Sequence, residues 1–395
     1  MQACRDLSPI LLIFLCLITA CGKQKGSRTP FTKQSPRSLH LDELNSEELP
    51  LSFGIGYIRL DHSSSRLGNL EFLDQEGYSH EDFPAIPDVY NFQVSGSKLL
   101  YMRTDELIVN TGNLYLKSLD QSYSQQPLLI SQASGFQFRL SNERVVYIDS
   151  DNALIFKSIQ GDQLAFLPHS PDDDIRDLTV TENRVLFTAY QRRPLNYKLL
   201  HLLDSNGNPV PGNAPLPVHR NSELAAYPSR IICISPESSL LILDSNANPI
   251  PNYRPINGVE SFYSNNNVIF VRLTGNQNMK LNMNGEFLDI SESLNMIDLS
   301  QLLIGPSHFF VFEASGRHID VLNSDGVNTS RINQDISGYP NTGFITSDRV
   351  ANSKLMAFTQ NQTLYLLTSD GIPLTNFLPI RGVSRVLALP QMMRN

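Results

Sequence analysis

A run of apolar triplets, returning at near-constant spacing along the chain, constrains its fold more than any other feature. The triplets are Ile55-Gly56-Tyr57, Leu99-Leu100-Tyr101, Val145-Val146-Tyr147, Val185-Leu186-Phe187, Ile231-Ile232-Cys233, Val268-Ile269-Phe270, Phe309-Phe310-Val311 and Leu355-Met356-Ala357. Their third positions lie 44, 46, 40, 46, 37, 41 and 46 residues apart. A second apolar series follows them: Leu73, Leu119, Ile159, Leu203, Leu243, Met283, Leu322 and Leu367, each just ahead of a polar turn. The turns are alike, as in Leu203-Asp-Ser-Asn-Gly207, Leu243-Asp-Ser-Asn-Ala247, Leu322-Asn-Ser-Asp-Gly326 and Leu367-Thr-Ser-Asp-Gly371. Asn, Asp and Gly accept the positive φ that a tight hairpin demands. A unit this short cannot bury its own apolar faces, so neighbouring copies must cover one another.

Each unit reads as strand, variable loop, strand, tight turn and strand. A more polar strand precedes the triplet, as in Val89–Val94, Phe136–Leu140 and Ile175–Val180. Eight four-stranded units of roughly 42 residues predict an all-β chain folded as an eight-bladed β-propeller. A solenoid would need polar capping units at its ends, and the sequence has none. The composition agrees: 41% of the 395 residues are hydrophobic and only 18% charged, which suits many short strands and turns. The passage Pro379-Ile-Arg-Gly-Val-Ser-Arg-Val386 matches Pro255-Ile-Asn-Gly-Val-Glu-Ser-Phe262, which leads into a first strand. Unit one begins near Leu51 without room for its own first strand. The C-terminal strand is therefore expected to complete blade one, closing the ring and removing two open sheet edges. Each triplet then sits in a second strand with apolar residues on both faces, and Cys233 reads as a small buried core residue.

Ahead of this body, residues 1–20 read as an export signal. Arg5 opens it, the apolar run Ile10–Ile18 follows, and Ile18-Thr19-Ala20-Cys21 closes it. The run is too short for a permanent bilayer span. The closing tetrad resembles the bacterial lipobox, which implies that Cys21 becomes the lipidated first residue of the mature protein. Gly22 after it resembles the sorting signal for an outer membrane. Cys4 and Cys16 leave with the signal, so Cys233 has no intrachain disulfide partner. Residues 21–50 read as a tether. Lys23, Lys25, Arg28, Lys33 and Arg37 precede the first acid, Asp42, and three prolines argue against a packed element. The basic half suits either an anionic lipid surface or a solvated spacer. The propeller then occupies residues 51–395, and the expected place is the cell envelope.

The blades weakly resemble bacterial propellers of the Tol-system type, whose blades end in an Asp-x-x-Gly turn; Asn183–Gly207 shows it best. Size, anchor and blade count also resemble the propeller lipoprotein of the outer-membrane β-barrel assembly machine. Those blades and the blades of quinoprotein dehydrogenases carry a repeated Trp and an Ala-x-Asp-x-x-Thr-Gly pattern. This chain has no Trp and no such pattern, which disfavours a quinone cofactor. The resemblance spans residues 51–390 as architecture and supplies no functional motif.

No chemistry-bearing motif stands out. Phosphate-binding glycine loops, His-Glu-x-x-His and Gly-x-Ser-x-Gly are absent from the sequence, so no cofactor is expected. Asp204-Ser-Asn-Gly-Asn208 and Asp244-Ser-Asn-Ala-Asn248 look like the start of a calcium loop. They lack Gly at the sixth position and Glu at the twelfth, so hairpin turns are the better reading. The net charge of −8 repels nucleic acid.

Two clusters remain. His169, Asp172, Asp173 and Asp174 suit a hard cation or a solvated loop. Tyr190, Arg192, Arg193 and Tyr197 pair guanidinium groups with aromatics, the side chains favoured as interface anchors. The loops between second and third strands and between blades share one face of a propeller. Here they are elaborated in Arg103–Gly112, with Arg103, Asp105 and Glu106, and in Pro168–Asp174, Ala189–Tyr197 and Gly212–Ser222. The turns between third and fourth strands, on the other face, read as uniformly tight. Long loops on a rigid scaffold are where binding concentrates, so the first face of blades two to four is the expected working face. The expected role is non-catalytic docking of another envelope protein. A carbohydrate or cell-wall glycan site, with or without hydrolysis, is the alternative; it needs aromatic platforms and paired carboxylates.

Overall fold

The computed structural model describes residues 53–388 apart from 61–66, 81–82, 105–111, 120–124, 142, 169–172, 192–196, 222–223, 296, 306, 313–317, 334–348, 352–353, 361 and 375–376. The signal segment, Cys21 and the tether lie outside the described residues, as do Asp105, Glu106, His169, Asp172, Arg192 and Arg193. Among the described residues no helix is long and apolar enough to cross a membrane.

The body is all-β and every triplet falls in the second strand of its repeat. Those strands are Phe53–Leu60, Lys98–Arg103, Arg144–Asp149, Arg184–Gln191, Arg230–Ile234, Val268–Leu273, Phe309–Phe312 and Leu355–Gln360. Each is flanked by two antiparallel partners. In repeat four the order is Asp173–Val180, Arg184–Gln191, Tyr197–Asp204 and Leu216–His219. Repeats five to eight form four-stranded sheets of the same order. The C-terminal strand Val383–Ala388 pairs with Phe53–Leu60, setting Tyr57 opposite Val386 and Ile58 opposite Arg385.

The first three repeats differ from expectation because they share one ten-stranded sheet. Two strands, Ile86–Ser95 and Leu128–Leu140, run longer than the sequence pattern suggests. The early part of Ile86–Ser95 pairs with the third strand of repeat one, and the later part with the second strand of repeat two. A bulge between Val89 and Asn91 bends the strand where it changes partner. The same crossing is split elsewhere by glycine. Gly258, at φ +73°, separates Ile256–Asn257 from Val259–Ser264, and Gly382, at φ +81°, separates Ile380–Arg381 from Val383–Ala388. In the continuous strand Asp88 takes that position at φ +60°.

Two further expectations need correction. Gly212–Ser222 is not simply a loop, because Leu216–His219 is the fourth strand of its repeat, with Pro217 opposite Leu199. Its prolines disguise it, yet an outermost strand tolerates proline because one edge has no ladder to serve. The turns between third and fourth strands are also not uniformly tight. In repeat two the third strand ends at Ser118 and the fourth opens at Leu128.

Strand alternation explains the packing. Leu99 and Tyr101 enter one buried cluster with Ile58, Phe72 and Phe92. Leu100 and Met102 enter the next, with Leu114, Phe138 and Val145. Ile231 and Cys233 likewise face repeat four, while Ile232 and Ile234 face repeat six. Each second strand is thus apolar on both sides, and each fully buried aliphatic side chain is worth about 1.5–3 kcal/mol. Another cluster joins Leu355 and Ala357 to Ile55 and Tyr57. Phenylalanines fill space where tryptophan is missing, through edge-to-face pairs such as Phe72–Phe83 and Phe270–Phe309, both 5.1 Å between ring centres.

The repeated polar turns are built as the sequence suggests. Asp204 Oδ1 accepts hydrogen bonds from the Asn206 and Asn208 amides at 2.7 and 2.9 Å. Asp74, Asp244, Asn282 and Asn323 cap their own turns in the same way. The side-chain oxygen is therefore engaged by its own backbone, the behaviour of an Asx turn.

Candidate functional site

The second strands of repeats two to four end at Arg103, Asp149 and Gln191. In repeat four the strand pairing brings several predicted residues together. Asp173 lies opposite Gln191 and Asp174 opposite Tyr190 on neighbouring strands, and Tyr197 lies opposite His219. The Tyr190 hydroxyl donates to the Arg220 carbonyl at 2.6 Å, and the Arg220 guanidinium stands over the Tyr190 ring, 5.7 Å from its centre. A cation over an aromatic face is worth about 0.5–1 kcal/mol where exposed. Arg220 was not singled out in the sequence, because it follows a proline-rich stretch that masks a strand. In repeat two, Arg103 ends the second strand and pairs with Asp88 at 3.3 Å.

Beneath this rim, repeat four holds a more buried polar group. Asp177 is bulged out of the strand Asp173–Val180, at φ +49° and at a register break. Its Oδ2 accepts from Thr188 Oγ1 at 2.8 Å and from Lys198 Nζ. Thr188 and Lys198 are almost fully buried, at 0% and 4% exposure. A non-glycine residue at positive φ is disfavoured by about 1–2 kcal/mol, so the bulge is held by what its side chain grips. Asp88 and Asp177 are therefore two strained acids, each engaged with a cation, in the repeats that the loops single out.

The inner edge of these sheets is also polar. Gln93 accepts the Leu140 amide at 3.0 Å, and Gln137 donates to the Ile175 carbonyl at 3.3 Å. These bonds tie the first strand of one repeat to that of the next. Arg139 lies beside them and donates to its neighbour's carbonyl at Phe138, 2.9 Å away. Burial lowers the Arg139 pKa, the nearby Arg385 guanidinium lowers it further, and Asp177 partly offsets both.

Cys233 is buried and its thiol is pushed up to about 12, by burial first and against a small opposing pull from Lys198. That makes it inert rather than nucleophilic. Among the described residues no three His, Cys, Asp or Glu side chains gather where they could hold a metal.

Three features escaped the sequence reading. The first is a basic residue immediately ahead of several triplets. Arg184 Nε donates to the Ser245 carbonyl at 3.2 Å, and Arg230 Nε to the Met283 carbonyl at 3.0 Å. Arg144 similarly reaches the Ser205 carbonyl. Each latches its repeat to the turn of the next, and the signal was the Arg that precedes three of the aligned triplets. The second is an exposed apolar outer edge. Leu164 and Phe166 are 48% and 51% exposed on Gln163–Leu167, near Leu128, which packs by the turn at Gly161. The third is a groove of about 630 Å³ between the outer parts of repeats five and six, lined by Tyr253, Arg254, Asn284, Glu286 and Phe287.

Repeated four-stranded sheets, joined through clusters that alternate along each second strand, give this chain an all-β, propeller-like organisation. No protein-family model and no curated protein matches it. Solved structures do. Apo AztD from Citrobacter koseri aligns at 10% identity with a TM-score of 0.55, over 86% of this chain and 98% of that one. A structure described as the eukaryotic initiation factor aligns at 8% identity and 0.54, over 87% and 99%. BamB from Moraxella catarrhalis aligns at 15% identity over 82% of this chain and 90% of that one, with a TM-score of 0.45. At these identities the likeness is one of fold alone.

Proposed function

We propose that this chain is a non-catalytic, lipid-anchored protein of the cell envelope that uses its propeller as a docking scaffold for another protein. The propeller has eight blades, closed by the strand Val383–Ala388, and the anchor is a lipid on Cys21. The observation that carries the docking reading is the display of Tyr190, backed by Arg220, on a rigid sheet end beside the loops of repeats two to four. Tyr and Arg are enriched among the few side chains that carry most of the energy of a protein interface. The same face is read to include Arg103, Asp105, Glu106, His169, Asp172, Asp173, Asp174, Arg192, Arg193 and Tyr197. The exposed apolar edge at Leu164 and Phe166 adds surface of the kind that partners cover.

The test is in-cell crosslinking of the tagged protein, with linked peptides identified by mass spectrometry. One dominant protein partner, linked through residues 103–112 or 189–197 and lost when Ala189–Tyr197 is shortened to a tight turn, supports the reading. Undiminished capture by the shortened variant refutes the chosen face. A Cys21→Ala variant that stays in the membrane fraction and still takes up labelled fatty acid refutes the anchor.

One observation favours a second reading, glycan binding. The groove at Tyr253 sets an aromatic ring, an exposed Phe287, the Glu286 carboxylate, the Asn284 amide and Arg254 around one space. Such a mixture suits a sugar ring better than a flat protein surface. A glycan-array signal that disappears in Phe287→Ala would favour it.

A further inference from the structure

The groove between the outer parts of repeats five and six carries side chains that are already oriented. One wall is the segment Ile250–Ile256 and the other is the turn Asn284–Phe287. Its volume of about 630 Å³ falls within the roughly 300–1,000 Å³ of sites that hold small ligands. Two aromatic rings line it. Tyr253 is held in place, because its hydroxyl donates to the Leu240 carbonyl at 2.9 Å and Gly285 packs against its ring. Phe287 is 65% exposed, on a strand of only two residues, Phe287–Leu288. Folding gains nothing from showing most of a phenylalanine to water, whereas the C–H face of a sugar ring would cover it.

The polar atoms around these rings are mostly donors. Asn284 Oδ1 accepts from Arg230 Nη2 at 2.6 Å, which leaves the Asn284 amide nitrogen to donate. Glu286 Oε2 accepts from Asn282 Nδ2 at 2.6 Å, which orients the carboxylate and leaves Oε1 as its acceptor. The Tyr253 proton is spent on Leu240. Arg254 lines the same groove, is exposed, and pairs with no other described residue. A guanidinium carries five N–H donors in a rigid fork. The groove therefore sets that fork and the Asn284 amide against one carboxylate that is already half used. A neutral sugar meets such a set with hydroxyls that donate as readily as they accept. A carboxylate only accepts, and its two oxygens match the fork.

We propose that this groove takes an acidic sugar, a pyranose that bears a carboxylate, within a short glycan. Arg254 meets the carboxylate, Asn284 donates to a neighbouring oxygen, and Glu286 accepts from a ring hydroxyl. Phe287 and Tyr253 carry the C–H face of the ring. The inference rests on the glycan reading of this groove and adds the class of sugar to it. It does not depend on the docking face of repeats two to four, and either can fail without the other.

The experiment is titration calorimetry of the mature chain with a panel of oligosaccharides that carry uronate or lactyl-ether carboxylates, each paired with its methyl ester. The ester keeps the rings and hydroxyls and removes the charge. At least one acid should bind about tenfold or more tightly than its ester, the size expected for one charge-assisted fork. That advantage should shrink as salt is raised. Arg254→Gln should bring the acid down to the affinity of its ester, with the unfolding temperature unchanged because Arg254 is exposed. Arg254→Lys should keep part of the preference, retaining the charge without the fork. Phe287→Ala should weaken acid and ester alike. Esters that bind as tightly as their acids overturn the acidic-sugar inference and leave the glycan reading standing. No binding by any acid or ester overturns both. An acid preference undiminished in Arg254→Gln overturns the inference as well.

Discussion

Gly285 and Gly212 make a matched pair whose replacement by alanine separates backbone strain from packing. Both sit at positive φ, +80° and +82°. A Cβ at Gly212 meets nothing within 4 Å, whereas one at Gly285 would overlap the Tyr253 ring at Cδ2 and Cε2. Gly212→Ala should therefore cost only the left-handed backbone penalty, about 1–2 kcal/mol. Gly285→Ala carries the same penalty and must also displace a ring that is tied down, because the Tyr253 hydroxyl donates to the Leu240 carbonyl at 2.9 Å. Overpacking of this kind adds about 1–3 kcal/mol, for a total of about 2–5 kcal/mol. The turn at Gly285 would then stand off the preceding repeat, and the groove beside Tyr253 would change shape. Urea unfolding of both variants, followed by tyrosine fluorescence, measures the difference, with an unchanged denaturant slope as the check that the same transition is compared. Equal losses in the two variants would refute the argument that these turns need glycine for close approach as well as for φ.

Other outcomes follow from the same geometry. Asp88→Gly should leave stability unchanged or raise it by up to about 1 kcal/mol, since it relieves a positive φ and gives up only an exposed ion pair; chemical denaturation reads this directly. Asp177→Gly should instead lose about 1–3 kcal/mol, because its carboxylate serves the buried Thr188 and Lys198; a variant as stable as Asp88→Gly would contradict that. Arg230→Ala should cost about 1–3 kcal/mol and speed amide exchange in the turn at Met283 and Asn284, which Arg230 latches. Cys233 should resist alkylation in the native protein at neutral pH and react once the chain is unfolded. Its folded thiol titrates near 12 against an ordinary 9.0, so the neutral form stabilises the fold. That contribution is full below about pH 9 and is lost as pH rises toward about 12. Tyr253, likewise raised to about 12 by burial, acts in the same direction. Cys233→Ala should flatten the alkaline stability curve, read from unfolding midpoints at rising pH.

Much of this fold is legible in the sequence because period and burial have one cause. A strand packed on both faces must be apolar at consecutive positions, and Leu99-Leu100-Tyr101-Met102 announces that without ambiguity. The turns are legible for a similar reason, since only a few residue types tolerate their backbone. Strand Leu216–His219 was hidden because an outermost strand obeys weaker rules, and its prolines read as a loop. The length of Leu128–Leu140 was hidden because the sequence marks where a strand begins to be buried, not where it changes partner. The site was less legible still. Tyr190 could be picked out by type, but its partner Arg220 comes from the turn after another strand, thirty residues on.

The two acids at positive φ show how the repeat and the site are connected. At the crossings from one repeat to the next, Ile256-Asn257-Gly258-Val259 and Ile380-Arg381-Gly382-Val383 use glycine, the residue that bends at least cost. Ile86-Pro87-Asp88-Val89 has an acid at the same place, and Ile175-Arg176-Asp177-Leu178 has one at a similar bulge. The bend itself gives no reason for the exchange, because glycine serves it equally well. The side chains do: Asp88 meets Arg103 and Asp177 meets Lys198 and Thr188. At Asp88, whose ion pair with Arg103 is exposed, strain retained where glycine serves elsewhere in the same chain points to function, whereas at Asp177 the buried Thr188 and Lys198 give the acid a structural reason as well. The strain also falls in repeats two and four, which the long loops single out on independent grounds. Replacing both acids by glycine would thus separate the two demands, leaving a chain that keeps its crossings but loses the polar arrangement they hold in place.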